Sequence, residues 1–155
     1  MPASPGDKYT VVGEFNATPT IPNTILLIVA GATKRCWLTE LNIGSKNAAA
    51  LAGAKFSVGR PTTSGTGGAA YTPVPIDPSA PAAIFTALSA TTVWSAEPTQ
   101  PSTYIYQAGL NAVASEIWTP PEPILVNVST RLAVRIEADA SATKVQWVVT
   151  ATIQE

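Results

Sequence analysis

The chain has 155 residues, with nine basic and ten acidic side chains, a net charge of −1, 12% charged residues and 46% hydrophobic ones. That is one domain's length, with about half the charge usual in soluble domains, no basic footprint for nucleic acid and no polybasic signal for a membrane surface. A single cysteine and no histidine exclude an intramolecular disulfide and a structural zinc site, and remove the commonest general base.

Such low charge means either that uncharged polar side chains keep the chain soluble or that much surface is buried against other chains; the second is the expectation. The opening MPASPGDKYTVVG has no basic segment leading into an apolar core, so no secretory signal is expected. The longest apolar run, Ile25 to Ala32, is far short of the ~20 residues of a membrane helix. Synthesis in the cytoplasm follows as an expectation, and the sequons at Asn16-Ala17-Thr18 and Asn127-Val128-Ser129 then count as chance.

Residues 1–7 hold two prolines and a glycine and read as a flexible arm; residues 8–155 read as one domain. Lys8 to Phe15 alternates, with Tyr9, Val11 and Phe15 on one face, and predicts a first strand. Pro19 and Pro22 then mark an extended turn, since proline cannot donate to a ladder. Thr24 to Ala30 (TILLIVA) is continuously apolar. Such a run is a strand covered on both faces, or one with a face in a subunit interface; Ile25, Leu26, Leu27, Ile28 and Val29 are the candidate interface residues.

Arg35 to Ile43 predicts a strand with Trp37, Leu41 and Ile43 inward, Lys46 to Gly53 at most a helical turn, and Ala54 to Gly59 another strand. Arg60 to Ala70, with Gly65, Gly67 and Gly68, reads as a flexible exposed loop. After the stiff stretch Pro73 to Pro78, Asp77 or Ser79 offers a cap and Pro81 an N-terminal proline for one short helix over 81–88. Thr91 to Ala96, Ser102 to Gln107, Ala112 to Trp118 and Ile124 to Val128 read as strands.

The last stretch, Arg131 to Glu155, holds two alternating runs. Leu132, Val134 and Ile136 share one face of the first, and Val145, Trp147, Val149 and Ile153 share one face of the second. With a polar turn at Asp139 to Ala142 between them, they predict an antiparallel hairpin whose apolar face needs a partner sheet. About ten short strands with frequent turn signals predict an all-β, antiparallel, jelly-roll-like β-sandwich.

No residue set carries catalysis, a metal or a cofactor, and an enzyme is not expected. Cys36, mid-strand beside Trp37, reads as a small buried core residue rather than a reactive thiol. Glu97, Glu116 and Glu122 lie among aromatic residues as a glycosidase pair could, but exposed glutamate is the ordinary reading. Gly65-Thr66-Gly67-Gly68 lacks the Lys and Ser/Thr of a phosphate loop. Trp94, Tyr104, Tyr106 and Trp118 could form a sugar-stacking platform, with core or subunit interface as the competing reading; Trp37 and Trp147 read as core.

The segment PVPIDPSAPAAIFTALSATTVWSAEPT (Pro73 to Thr99) resembles a stretch of small structural proteins of tailed bacteriophages, in which a proline-bounded turn and helix precede an EPT element. The ending RLAVRIEADASATKVQWVVTATIQE and the opening IPNTILLIVAGATKRCWLTELNIGS are similar to the last strands and first hairpin of those proteins. The resemblance implies a jelly-roll sandwich acting as a capsid decoration protein on the outer surface of the head. It implies a homotrimer with the major capsid protein as partner, located in the virion and made in the host cytoplasm, with no cofactor, nucleic acid or membrane. Contact residues do not carry over. On physical grounds the arm through Lys8 and the loop with Arg60, Thr62 and Thr63 are the candidate shell contacts, because segments that order on binding can drape over a partner; the alternative is that both are merely mobile surface. The competing function is a carbohydrate-binding module of a phage fibre or bacterial surface, built on the aromatic set.

Overall fold

Side-chain alternation sets most of the strands. The computed structural model describes residues 6–15, 22–46, 53–111, 113–139 and 145–155. In chain order its strands are β1 (Lys8–Glu14), β2 (Asn23–Val29), β3 (Cys36–Ser45), β4 (Gly53–Gly59), β5 (Ala69–Tyr71), β6 (Val74–Pro75), β7 (Thr86–Ser89), β8 (Tyr106–Asn111), β9 (Glu116–Trp118), β10 (Ile124–Val126), β11 (Arg131–Asp139) and β12 (Trp147–Gln154). They form two antiparallel sheets. Sheet A runs β10-β3-β12-β1-β6 with β9 also on β3, and sheet B runs β5-β7-β2-β11-β4-β8.

Stripped of β5, β6 and β7, the two sheets are β1-β12-β3-(β9, β10) and β2-β11-β4-β8, the strand order of a jelly roll. The three extra strands lie between β4 and β8 in the chain. They extend both sheets on the same side, β6 beside β1 and β7 beside β2. Among the described residues, no two strands consecutive in the chain are hydrogen-bonded to each other. The expected terminal hairpin is therefore corrected: β11 pairs with β2 and β4, while β12 pairs with β1 and β3. The two runs face each other across the core. IPNTILLIVAGATKRCWLTELNIGS likewise spans the sheets, β2 in one and β3 in the other. Two amphipathic strands joined by a turn satisfy their apolar faces equally well by pairing or by arching between sheets, so alternation alone does not distinguish them.

The core fills the space between the sheets. Leu132, Val134 and Ile136 of β11 and Trp147, Val149, Ala151 and Ile153 of β12 are buried on the expected faces. Trp147 meets Phe56 edge-on across the sandwich, with centroids 4.8 Å apart at 76°, a geometry aromatic pairs favour. Burial of each large apolar side chain contributes roughly 1.5–3 kcal/mol before the entropy of ordering the chain is subtracted. The sheets approach closely at Gly13, where a Cβ would lie 2.5 Å from the Ile25 carbonyl oxygen and 2.6 Å from Leu26 Cβ.

The expected helix over 81–88 is absent among the described residues, and β7 occupies its second half. Tertiary contacts take the groups a helix would need. The Tyr9 hydroxyl donates to the Pro81 carbonyl at 2.9 Å, and the Glu155 carboxylate accepts the N–H groups of Ile84 and Phe85. Phe85 is buried edge-on to Tyr9, and Leu88 and Ala87 pair with Leu27 and Ile28. Asp77 forms an Asx turn instead of a cap, accepting from the Ser79 N–H and hydroxyl, which holds its carboxyl below the usual range. So short a helix has little stability of its own to oppose this.

Four further expectations shift. A register slip between Thr152 and Ile153 leaves Cys36, Leu38, Leu41 and Ile43 inward and turns Trp37 half out. The strand expected at Ser102 to Gln107 begins at Tyr106, and that at Ala112 to Trp118 shortens to β9. Thr91 to Ala96 makes a single bridge, Thr66 to Ala96. The possible helical turn at Lys46 to Gly53 and most of the arm lie outside the described residues.

Candidate functional site

The continuous apolar run of β2 has its explanation within the chain. Leu26 abuts Gly13 of sheet A, so its neighbour Leu27 points away from the sandwich interior, yet both are fully buried. The outer face of sheet B around β2 is covered by a strap made of residues 60–68 and 91–101, while Lys55, Gln107 and Gly109 further along the sheet stay exposed. Trp94 is buried to 6% exposure and its indole Nε1 donates to the Thr24 carbonyl at 2.7 Å. Glu97 Oε2 accepts the Thr24 N–H at 2.9 Å. Gln100 sits so close to Gly59 that a Cβ there would meet its amide nitrogen at 2.5 Å.

The two halves of the strap are stitched together. Thr62 N–H donates to Thr99 O at 2.8 Å, Thr66 N–H to Ala96 O at 2.8 Å and Ser95 N–H to Thr66 O at 2.9 Å. Gly65 and Gly67 adopt φ of 64° and 100°, a region glycine enters without steric cost, and Gly68 packs on the Trp94 ring. This loop is thus a hydrogen-bonded layer rather than the free excursion its composition predicts. Ile25, Leu26, Leu27 and Ile28 have no exposed surface and Val29 is half-buried, so this run offers no face to a partner chain. Of the two readings open for it, coverage on both faces is the one observed.

Beneath the strap, burial pushes the Glu97 carboxyl above its ordinary value, against the smaller opposing effects of its hydrogen bond from Thr24 and the nearby Arg135. Glu137 accepts from Ser57 Oγ at 2.6 Å and lies 3.8 Å from Arg135 Nε. Cys36 is buried as expected, and desolvation, with a smaller effect of Glu155, pushes its thiol up to about 12. No group of three or more Asp, Glu or Cys residues placed to hold a metal occurs among the described residues.

The aromatic set does not form a row. Trp94 is consumed by the strap. Tyr106 and Trp118 stack on each other with centroids 4.0 Å apart at 8°, closing the gap between the edges of the two sheets. The Tyr106 hydroxyl donates to Glu116; burial and that carboxylate push the phenol up to about 12. Tyr104 alone is exposed, near Ile105. Val113 and, at 65%, Ile117 are exposed as well. In comparisons with known proteins, no family model matches the chain and no curated protein matches it significantly.

Three of the four candidate shell contacts come together at one end of the sandwich. An open groove of about 550 Å³ is lined by Arg60, Pro61, Thr62, Leu125, Asn127, Ser129, Thr130 and Arg131, with Thr63 next to it on the strap. Arg60 Nη1 donates to the Leu125 carbonyl at 2.6 Å. Arg131 donates through Nε to Ser64 Oγ at 2.5 Å and through Nη1 to Thr62 O at 3.3 Å. A second hollow of about 250 Å³ on the other side of Arg60 is lined by Pro101, Thr103, Tyr104 and Ile105. Lys8 lies at the same end of sheet A but three strands away, on the row Lys8–Gln154–Trp37–Leu125. Arg131 had no place among the sequence candidates. Nothing local marks it, because it reads as an ordinary outward charge of an alternating strand.

Proposed function

We propose that this chain is a virion structural protein, a decoration protein that binds the outer surface of a tailed-phage head. The observation that carries the reading is the acid-free, Arg-lined groove set on a braced jelly roll, an architecture that viral capsid domains also use. The scaffold is stiff where adhesion needs stiffness: the strap covers the outer face of β2, and proline-flanked short strands blunt two of the sheet edges. A fold of this kind hosts many functions, so the groove and not the fold bears the argument. Self-association belongs to the reading as a homotrimer. Its surface draws on exposed apolar residues such as Tyr104, Ile105, Val113 and Ile117, since the β2 run is enclosed. Against a sugar-binding module stands the internal use of Trp94, Tyr106 and Trp118.

The test is co-sedimentation of purified protein with head particles that lack it, together with light scattering across a wide dilution range. Saturable binding at a fixed ratio to shell subunits, by a species near three times the 16.0 kDa chain mass, is expected. Failure to bind such heads, with a monomer at all concentrations, refutes the reading.

A further inference from the structure

We propose that the groove at Arg60 and Arg131 is a docking site for an acidic, extended segment of a partner protein, whose carboxylates the two guanidinium groups hold. The inference rests on the decoration reading for taking the partner to be a shell protein, but its chemistry stands on the groove itself.

Three segments meet at this end: 30–35, 59–66 and 126–131. Ala30 N–H donates to Thr130 O at 3.0 Å and Ser129 N–H to Gly31 O at 3.1 Å. The pairing of Cys36 with Val126 sets Arg35 beside Asn127. Together the segments carry Lys34, Arg35, Arg60 and Arg131, four of the nine basic residues of a net-negative chain, and no acidic residue. Among the described residues no carboxylate lies within 4 Å of any of the four.

Both guanidinium groups are already fixed in place by the chain's own oxygens, as described above. A guanidinium has five N–H donors, so most of each fork remains without a protein partner among the described residues. A fork held in position loses little freedom on meeting a carboxylate, and its planar geometry matches one in a bidentate pair. Pro61 and Leu125 give the groove an apolar floor that a free phosphate would not use but the stem of a Glu side chain would cover. Nucleic acid fits less well, because it needs a longer basic track, with stacking aromatics where the strand is single. Arg60 also occupies the Leu125 carbonyl of edge strand β10. The partner is thus held by side-chain charge rather than by adding a strand to that edge.

The test uses the full 155-residue chain, isotopically labelled, and a synthetic extended peptide with alternating Glu residues, beside the same peptide with Gln. The Glu peptide is expected to shift amide resonances of Arg60 to Thr62 and Asn127 to Arg131, to weaken several-fold as salt screens it, and to lose about tenfold or more in affinity in Arg131→Gln. The Gln peptide should leave the spectrum unchanged. Arg60→Gln should behave like Arg131→Gln; if it unfolds because β10 loses its bracket, the shift map on the parent chain and Arg131→Gln decide. Equal binding of both peptides, shifts confined to another face, unchanged affinity in Arg131→Gln, or binding only of an oligonucleotide or of anionic vesicles overturns the proposal. Heads that bind the protein while the Glu peptide does not refute this inference alone, and the reverse pattern refutes the decoration reading alone.

Discussion

Trp94 is the peg that holds the strap down, and its removal separates the two readings of the β2 run. Trp94→Ala takes away a ring that is 6% exposed. Aromatic side chains bury about 150–250 Å², and at ~25 cal/mol/Å² that is about 4–6 kcal/mol as an upper bound. Truncations of buried aromatics cost about 3–5 kcal/mol. The lost donor to the Thr24 carbonyl falls within that range, since an unpaired buried carbonyl costs about 1–3 kcal/mol. In a domain of this size 1 kcal/mol moves Tm by about 2–4 °C, so a drop of roughly 6–20 °C is expected by calorimetry. Trp94→Phe should lie between, at about 1–2 kcal/mol. With the strap loosened, Leu27 gains exposure and the variant should self-associate more than the parent on sizing. A loss under about 1 kcal/mol, with no change in association, refutes the argument: the strap would then add nothing to the outer face of sheet B, and β2 would again be open as a subunit interface.

Gly13→Ala places a methyl against the Ile25 backbone and Leu26 Cβ, and should destabilise by about 1–3 kcal/mol or more; urea unfolding with a change below 0.5 kcal/mol, the ordinary surface value of about that size, would show that the sheets are not in contact there. Cys36, buried with its thiol pushed up to about 12, should resist a thiol reagent at pH 8 in the native chain and react at the rate of unfolding. Rapid native labelling would contradict its place in the core. Glu97 favours its protonated form on folding, so its contribution is largest below its ordinary value of about 4.3 and is lost as pH rises through the raised folded value. Glu97→Gln keeps an acceptor for Thr24. Its stability relative to the parent should therefore rise over that window in thermal melts, and a pH-independent difference would refute the assignment.

The sandwich was legible because β1, β11 and β12 keep strict alternation and because prolines cluster where strands stop. What escaped was partnership. Leu132 and Trp147 needed a facing apolar layer, and the hairpin was the shortest way to supply one, but the observed layer comes from the opposite sheet. The helix at 81–88 failed for a related reason, since its proline and alanines describe local preference while Tyr9, Glu155 and β2 act from far along the chain. The groove was half visible. Arg60, Thr62 and Thr63 stood out on a glycine-rich loop, whereas Arg131 joined them only through the crossing of β10 into β11. The aromatic platform dissolved because an indole's partner, here the Thr24 carbonyl, leaves no mark in sequence spacing.

The strand order also bears on how the chain reaches this state. β11 is the centre of sheet B and β12 of sheet A, and both follow every strand they pair in the order of synthesis. Until they emerge, β2 and β4 have no shared neighbour, and neither do β1 and β3, so the earlier strands wait as unjoined halves. Non-local pairing of this sort folds slowly and leaves strand edges open to other chains meanwhile. A ribosome carrying the first 130 residues thus holds the parts of both sheets and the assembly of neither.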